Sequence, residues 1–396
     1  RRSSDYNILH ETFNYGIGAQ YMINKGNYIT ADCYADHFSS SYCFFKDNKT
    51  YNGKAGEEQV RKRTRNHNLS IKGIFKLGNR HKLSVGTEYI VDVLKSQTDN
   101  IAKEDAYTLA LFAQDEIKLL RNLQALIGVR YIYHENFKNH ATPNVALMYK
   151  PGKFNFRASY AAGFRTPTLS ELYATDIAKK NDRLTIGNLD LKPEKNNYFS
   201  LSAEYVHERF SVSVNAFYNN IRDMIDYNTI ATGDKAMEQY GHKEVRQRDN
   251  IAEAKVHGIN VSANAYLGAG FNLSGGYTHL NTQDVELEQP IDKSIKNAYN
   301  INAQWAHSWK IYRLNINLNG RINSKRFSKS YGYAPEYQLW DLNTRHSFNL
   351  KSVIIEPGCG MENLFDYMDD RPYNSNYATL TPGRSFYISL SLKFKS

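Results

Sequence analysis

Residues 313–323 read Arg313-Leu314-Asn315-Ile316-Asn317-Leu318-Asn319-Gly320-Arg321-Ile322-Asn323. Leu314, Ile316, Leu318 and Ile322 occupy alternate positions, and Arg313, Asn315, Asn317, Asn319 and Arg321 stand between them. Successive side chains of a strand point to opposite faces, so the stretch has one oily face and one wet face. Its length matches the roughly 9 to 11 residues with which a tilted strand crosses a bilayer. Near the start, Phe13, Tyr15, Ile17, Ala19 and Tyr21 alternate with Asn14, Gly16, Gly18 and Gln20. At the end, Phe386, Ile388, Leu390, Leu392 and Phe394 alternate with Tyr387, Ser389, Ser391 and Lys393.

Counted outward from these runs, the pattern gives about 17 strands, starting near Thr12, Tyr28, Asn68, Lys82, Tyr107, Leu123, Asn144, Phe154, Tyr198, Phe210, Ala254, Phe271, Asn300, Tyr312, Gln338, Val353 and Ser385. Their connections alternate in length. Turn-like links such as Lys25-Gly26, Gly78-Asn79, Arg121-Asn122, Pro151-Gly152 and Trp309-Lys310 separate long ones at 39–66, 94–105, 135–141, 165–197, 228–249, 282–296, 324–337 and 365–384. Short turns on one rim and long loops on the other is how bacterial outer-membrane barrels are built. No helical stripe of comparable length appears, and no Pro/Gly/Ser-rich linker divides residues 1–396, which read as one barrel segment.

Composition agrees once barrels are considered. Mean hydropathy is −0.61 and no window nears a membrane helix, which would file the chain as soluble were strands not able to cross with far fewer apolar residues. A soluble sandwich also has oily faces, but it has no reason to put Arg313, Arg321, Lys393 and Glu356 on its inner face or to alternate loop lengths so regularly. Cys33, Cys43 and Cys359 lack metal or redox spacing and read as unpaired thiols or one incidental bridge. An odd strand count places Arg1 outside the cell if the last strand ends in the periplasm. Bare sheet edges cannot be satisfied in hydrocarbon, so the expectation is a C-terminal portion whose remaining strands lie on another segment.

At the mouth of the eighth strand stands Gly163-Phe164-Arg165-Thr166-Pro167-Thr168-Leu169-Ser170-Glu171-Leu172-Tyr173, followed by Gly187-Asn188-Leu189-Asp190-Leu191-Lys192-Pro193-Glu194. Further on come Met361-Glu362-Asn363-Leu364-Phe365-Asp366 and Pro382-Gly383-Arg384-Ser385-Phe386-Tyr387. These resemble the FRAP box, the NPNL/NPDL box, the penultimate-strand ENLFD and the PGR before the last strand of TonB-dependent outer-membrane receptors, in the branch with haem, vitamin B12 and catecholate-siderophore receptors. Leu189 departs from the family's Pro, Pro357 interrupts a strand and suggests a bulge, and Lys395-Ser396 follow the terminal aromatic Phe394.

The resemblance implies an all-β transmembrane antiparallel barrel in the outer membrane of a Gram-negative bacterium, one of about 22 strands around a plug. Plug and first strands would lie outside this chain. It implies no catalytic role and no resident cofactor; the cargo is haem or a ferric siderophore, with cobalamin uptake or a passive porin as alternatives. The partners implied are TonB through the plug, outer-membrane lipid and lipopolysaccharide, and a surface lipoprotein that delivers substrate. An outer-membrane hydrolase is disfavoured because GxSxG, HExxH and P-loop motifs are absent. A nucleic-acid partner is disfavoured for want of a groove-reading element.

Phe164 reads as an interfacial anchor, Arg165 as the holder of a loop carboxylate such as Glu171 or Asp190, and Pro167 and Pro193 as stops to strand pairing. Asn188, Leu191, Glu194, Asn363, Leu364 and Phe365 complete the motif residues. Haem is commonly held by His, and none lies between Pro167 and Asn188, which lowers haem; His242, His140, His134, His37 and His279 remain as substitutes. The substrate-binding candidates are Arg165, Tyr173, Tyr240, His242, His140, Tyr331 and Tyr333, with loop aromatics Phe327, Tyr337, Tyr373 and Tyr377 able to pack a flat ring. The basic 39–66 loop attracts anions without choosing among them.

Overall fold

The computed structural model describes residues 5–178, 182–328, 332–369 and 381–395. Seven long strands come first: β1 (Tyr6–Asn24), β2 (Asn27–Phe44), β3 (Glu58–Leu77), β4 (His81–Ser96), β5 (Ile101–Leu120), β6 (Leu123–His134) and β7 (Lys138–Tyr149). Then follow β8 (Phe154–Arg165), helix α1 (Leu169–Tyr173), short β9 (Thr175–Ala178) and β10 (Arg183–Ile186), β11 (Glu194–Val206), β12 (Phe210–Thr232), helix α2 (Gly233–Tyr240) and β13 (Glu244–Gly268). The chain continues through β14 (Phe271–Asp284), β15 (Asn297–Trp309), β16 (Tyr312–Asn323), the hairpin β17 (Arg326–Ser328) and β18 (Gly332–Ala334), β19 (Tyr337–Asn349), β20 (Val353–Glu362) and β21 (Ser385–Phe394). Nineteen strands share one sheet, and without the short β9 and β10 seventeen long ones remain, as the alternation predicts.

The short-turn ends lie where the sequence puts them, because the turn residues fix them. Gly26, Gly78, Gly152 and Gly268 all have positive φ, a region open to glycine at no steric cost. Gly270 also faces the Ala306 carbonyl so closely that a Cβ would collide with it.

The far ends differ from expectation. β3 begins at Glu58 rather than near Asn68, β13 at Glu244 rather than near Ala254, and the supposed long loop at 94–105 is a tight connection between Ser96 and Ile101. Apolar alternation is imposed only where one face meets hydrocarbon, whereas the backbone ladder continues into water.

The chain forms two compact units, the first comprising Arg1–Leu147, Tyr160–Asn197 and Ile221–Glu253, the second the rest. In the first, Leu69, Ile71, Leu109, Leu111, Ile127 and Val129 stand exposed on one face. The opposite face is a polar lattice: Asn68 donates to Glu88 (2.8 Å), Arg130 pairs with the same carboxylate, and Asn144 donates to Gln114 (3.4 Å). This division gives the oily face to lipid and the wet face to the lumen.

The second unit keeps the same rule. Ile316 lies between Trp305 and Thr344, while Asn317 lies between Gln304 and Asn343, and Asn302 donates to Asn317 (2.6 Å). Near the short turns, Phe154, Tyr205 and Phe210, and further along Phe271, Trp305, Trp309, Tyr312 and Phe348, form runs of ring contacts, each 4.9–6.1 Å between centroids. Amphipathic rings settle at a membrane interface, and these mark one.

Among the described residues β1 is paired on one side, by β2, and β21 on one side, by β20. Ile17, Ile388 and Phe394 are accordingly 77%, 88% and 81% exposed. The bulge expected at Pro357 does not occur. Register is kept on both sides of it, and the β19–β20 bridges lapse only between Gly358 and Ile355. Proline has no N–H to give that ladder, and the opposite neighbour β21 needs none from it. The three cysteines are unpaired.

Candidate functional site

β8 ends at Arg165 and β11 begins at Glu194, with buried Pro167 and Pro193 next to these ends. Thr168 then caps α1: its hydroxyl accepts from the Glu171 amide (3.2 Å), and the Glu171 carboxylate accepts from the Thr168 amide (2.8 Å). This reciprocal capping box closes a helix too short to persist alone.

Arg165 ties the loop down. Its guanidinium donates to Glu171 (2.9 and 3.3 Å) and to Glu194 (2.8 and 2.6 Å), so the carboxylate partners are Glu171 and Glu194 rather than Asp190. Glu194 in turn accepts from the Ile225 amide (2.8 Å), which fastens β12 to the same knot. Burial pushes the Glu171 carboxyl up, but hydrogen bonds from Arg165 and Thr168 together with the Arg165 charge hold it below the usual carboxylate range.

The second box packs beneath. Leu191 is buried with Leu172 and Ile225, and Phe137 and Tyr173 flank them. Asn188 donates its amide to the Glu171 carbonyl (3.1 Å) and accepts from the Asp190 amide (2.9 Å). Leu189, the departure within this box, is 67% exposed. Asn250 clamps the arrangement: it accepts from the Lys192 amide (2.7 Å) and donates to the Lys192 (2.9 Å) and Asp223 (2.6 Å) carbonyls. The sequence offers no signal for that residue. Its partners are 58 and 27 positions away.

Under the α1 loop, on the wet face of the first unit, lies a cavity of about 490 Å³ bordered by Phe38, Asn66, Asp92, His134, Thr166 and Leu169. The candidate ligand residues do not gather round it. Arg165 is engaged with its two carboxylates, and Tyr173 belongs to the packing below. His140 stacks on Phe164 (4.6 Å between centroids) with its Nε2 3.0 Å from the Phe137 carbonyl. Tyr240 packs with α2 against Ala231, Ala236 and Val245. His242 Nδ1 sits 2.9 Å from Asp182, a contact that holds the Asp182 carboxyl below its usual value. Tyr333, in the second unit, meets Phe327 edge-on at 5.3 Å. Tyr331, Tyr373 and Tyr377 lie outside the described residues. No group of three His, Cys, Asp or Glu side chains able to hold a metal comes together among the described residues.

A second cluster escapes sequence reading. At Ser40/Ser41 the β2–β3 register shifts, leaving Arg61 as an extra residue, and a bulge of this kind re-aims a side chain. Arg61 lies 5.1 Å from both the Tyr42 and Tyr51 rings, and Tyr6 stacks on Tyr42 at 4.4 Å.

In the second unit, Asn363, with φ of 53°, donates to the Tyr367 (2.8 Å) and Pro382 (3.0 Å) carbonyls. Leu364 donates its amide to the Trp340 carbonyl (2.7 Å), and Phe365 is 65% exposed. This motif is a staple that closes β20 against the approach to β21.

One extended antiparallel sheet, oily on one face and hydrogen-bonded on the other, with interfacial rings, defines a transmembrane β-barrel protein. The chain belongs to the TonB dependent receptor-like β-barrel family, whose model matches residues 1–364. It is similar in fold to a variant of the ferric enterobactin receptor of Pseudomonas aeruginosa (TM-score 0.79, 18% identity, covering 97% of this chain and 61% of that one). Similar too are the siderophore receptor PirA of Acinetobacter baumannii (0.75, 16%, 97% and 62%) and the ferric preacinetobactin receptor BauA of the same species (0.69, 14%, 97% and 63%). The chain spans less than two thirds of the length of these proteins. The family is one of receptors and transporters rather than enzymes, and its members are outer-membrane β-barrels.

Proposed function

We propose that residues 1–396 are a barrel segment of a TonB-coupled outer-membrane receptor that takes up an anionic iron chelate, a ferric siderophore before haem. The observation that carries this reading is the Arg165-anchored loop set over a cavity on the wet face, at the long-loop end of a family barrel. The siderophore receptors among its structural neighbours favour a ferric siderophore. Haem calls for an axial ligand; neither His140 nor His242 borders the cavity, and His134, which does, is buried with its Nδ1 accepting from the Asn136 amide (3.1 Å), which favours a siderophore over haem. In this reading the strands supply a fixed wall, the loops capture the chelate, and a plug coupled to TonB moves it inward.

Uptake of labelled ferric catecholate, hemin and cobalamin by cells producing the receptor, with and without TonB, tests it. TonB-dependent uptake of the ferric catecholate alone is the expected outcome. Uptake of cobalamin alone, or TonB-independent leakage of all three, overturns it.

A further inference from the structure

The cavity beneath the α1 loop carries unmet acceptors and an unmet donor together. On the wet face, in phase with Asn68, Glu88 and Arg130, strand pairing sets Asp36 of β2, Asn66 of β3 and Asp92 of β4 in one row. Two strand spacings of about 4.8 Å put the carboxylate-bearing positions about 10 Å apart. Asn66 donates to Asp92 Oδ1 (2.8 Å). Among the described residues neither Asp36 nor Asp92 has a cation within ion-pair distance, and Asp36 Oδ1 is covered without a hydrogen-bond partner. Lys62 and Arg65 also border the cavity, but Lys62 is held by Asp99 (3.7 Å), and alternation assigns Arg65 to the oily side of β3.

His134 supplies the complementary group. It is 7% exposed at the end of β6, opposite Thr108 of β5, and it borders the same cavity. Its Nδ1 accepts from the Asn136 amide (3.1 Å), so the ring proton is on Nε2. Among the described residues that N–H has no acceptor, and it is not sealed off, so it opens on the cavity as a free donor. A donor withdrawn from water without an acceptor is costly, and so is a covered carboxylate oxygen without a donor. Phe38, backed by His10 at 5.5 Å between centroids, adds apolar surface, and Thr64, Thr108, Thr166 and Ser170 contribute hydroxyl groups.

Two carboxylates without a cation repel an anion, so the iron-bearing centre of an anionic chelate is not what enters here. A cation suits the carboxylates but leaves the His134 N–H unmet. Asp36, Asp92 and His134 do not converge on one point as a metal requires. A neutral group rich in hydroxyls meets every demand: its O–H groups donate to Asp36 and Asp92, an oxygen accepts from His134, and its C–H face lies on Phe38. The volume of about 490 Å³ is within the range of about 300 to 1,000 Å³ usual for small-molecule sites. We infer that this cavity is a carbohydrate subsite, which binds a pyranose through Asp36, Asp92 and the Nε2–H of His134. The pyranose is a free sugar or a substituent of the chelate. The inference rests on the proposed reading of the cavity as part of the cargo path, and names the portion of the cargo that it holds.

The test uses the whole receptor in detergent. Saturation-transfer NMR reads the binding of methyl glucoside, methyl galactoside and methyl mannoside. Calorimetry compares a ferric catecholate with its glycosylated and aminopropyl derivatives. Binding of at least one methyl glycoside is expected. A glycosylated chelate that binds tighter than its parent assigns the sugar to the chelate, and equal binding assigns it to a free sugar. A hydrogen bond to a charged group is worth about tenfold in affinity and a neutral one about fivefold. Asp36→Asn/Asp92→Asn should therefore weaken glycoside binding about a hundredfold, and His134→Phe about fivefold. The same charge change nearer the short turns, Asp32→Asn/Glu116→Gln, should leave it intact. Heat-modifiable migration reports that each variant is folded, and for a double variant that fails to fold Asp36→Asn alone is measured. Binding of none of the glycosides, unchanged binding in Asp36→Asn/Asp92→Asn, or tighter binding of the aminopropyl than of the glycosylated chelate overturns the proposal. TonB-dependent uptake is read separately. Uptake without glycoside binding refutes this subsite alone, and Asp36-dependent glycoside binding without chelate uptake refutes the transport reading alone.

Discussion

Replacing Arg165 with Met should open the loop it anchors without unfolding the sheet. The side chain makes four hydrogen bonds to two carboxylates whose own side chains are 13% and 15% exposed. A hydrogen-bonded charge pair contributes about 1.5 to 3 kcal/mol when covered. Because the Arg165 side chain is itself 42% exposed, solvent screening lowers that to about 1 to 1.5 kcal/mol for each carboxylate. Met leaves both carboxylates without their cation, so local opening becomes easier by about 2 to 3 kcal/mol, and exchange of the loop amides should quicken about 30- to 150-fold.

Hydrogen exchange at Gly187, Asn188 and Thr175, whose amides bond to Ala174, Glu171 and Asp99, reads this directly. Arg165→Lys should fall between, since an ammonium keeps the charge and loses the planar fork. Unchanged exchange at these amides in Arg165→Met, or acceleration spread equally over the β14–β16 amides, would refute the assignment of Arg165 as the local anchor.

Acid should act on the same knot. The folded Glu171 carboxyl lies below its ordinary 4.5, so its contribution is fully present above that value and is lost as pH falls through the depressed one; loop exchange corrected for intrinsic rate should therefore rise only below about pH 4.5, and a rise between pH 6 and 8 would contradict it. Ile316→Arg should destabilise the inserted barrel by about 2 to 4 kcal/mol, with Asn317→Arg costing about 1 kcal/mol or less, as judged by denaturant midpoints in lipid. Equal effects would mean the faces are misassigned. Cysteines placed at Lys49, Asp234 and Lys293 should react with an impermeant reagent on intact cells, and cysteines at Lys25, Arg121 and Gly268 should not; labelling of the second set reverses the orientation. Gly187→Ala should loosen the α1 loop much as Arg165→Met does, because its Cβ meets the Leu172 carbonyl; undiminished protection there counts against that packing.

The strands were legible because hydrocarbon imposes a rule on every second residue, and turn glycines punctuate it. That is why Leu123, Phe154, Phe210, Phe271, Tyr312, Val353 and Ser385 are strand starts in both sequence and structure. Where the wall rises into water the rule lapses: residues 58–66 are almost wholly polar and show no phase, so neither the early start of β3 nor the bulge that turns Arg61 onto Tyr42 and Tyr51 could be read. At the loop, the charge of Arg165 and the capping signature Thr168-x-x-Glu171 were visible. Choosing Glu194 over Asp190 needed the register of β8 against β11, which is a tertiary fact. The ligand candidates fared least well, because an aromatic or histidine in a loop looks the same in sequence whether it faces a cargo or, like Tyr173 and His140, holds its neighbours.

β12 and β13 are 23 and 25 residues long. At about 3.3 Å per residue, each strand is far longer than the apolar band of about 25 Å in an outer-membrane wall. Hydrocarbon therefore imposes its alternation on only part of either strand, and the part that runs on to α2 is free of that rule. The two halves of one strand thus answer to different judges, and a sequence comparison should show fast drift around Gly233–Tyr240 above a slowly changing Val261, Ala263 and Ala265.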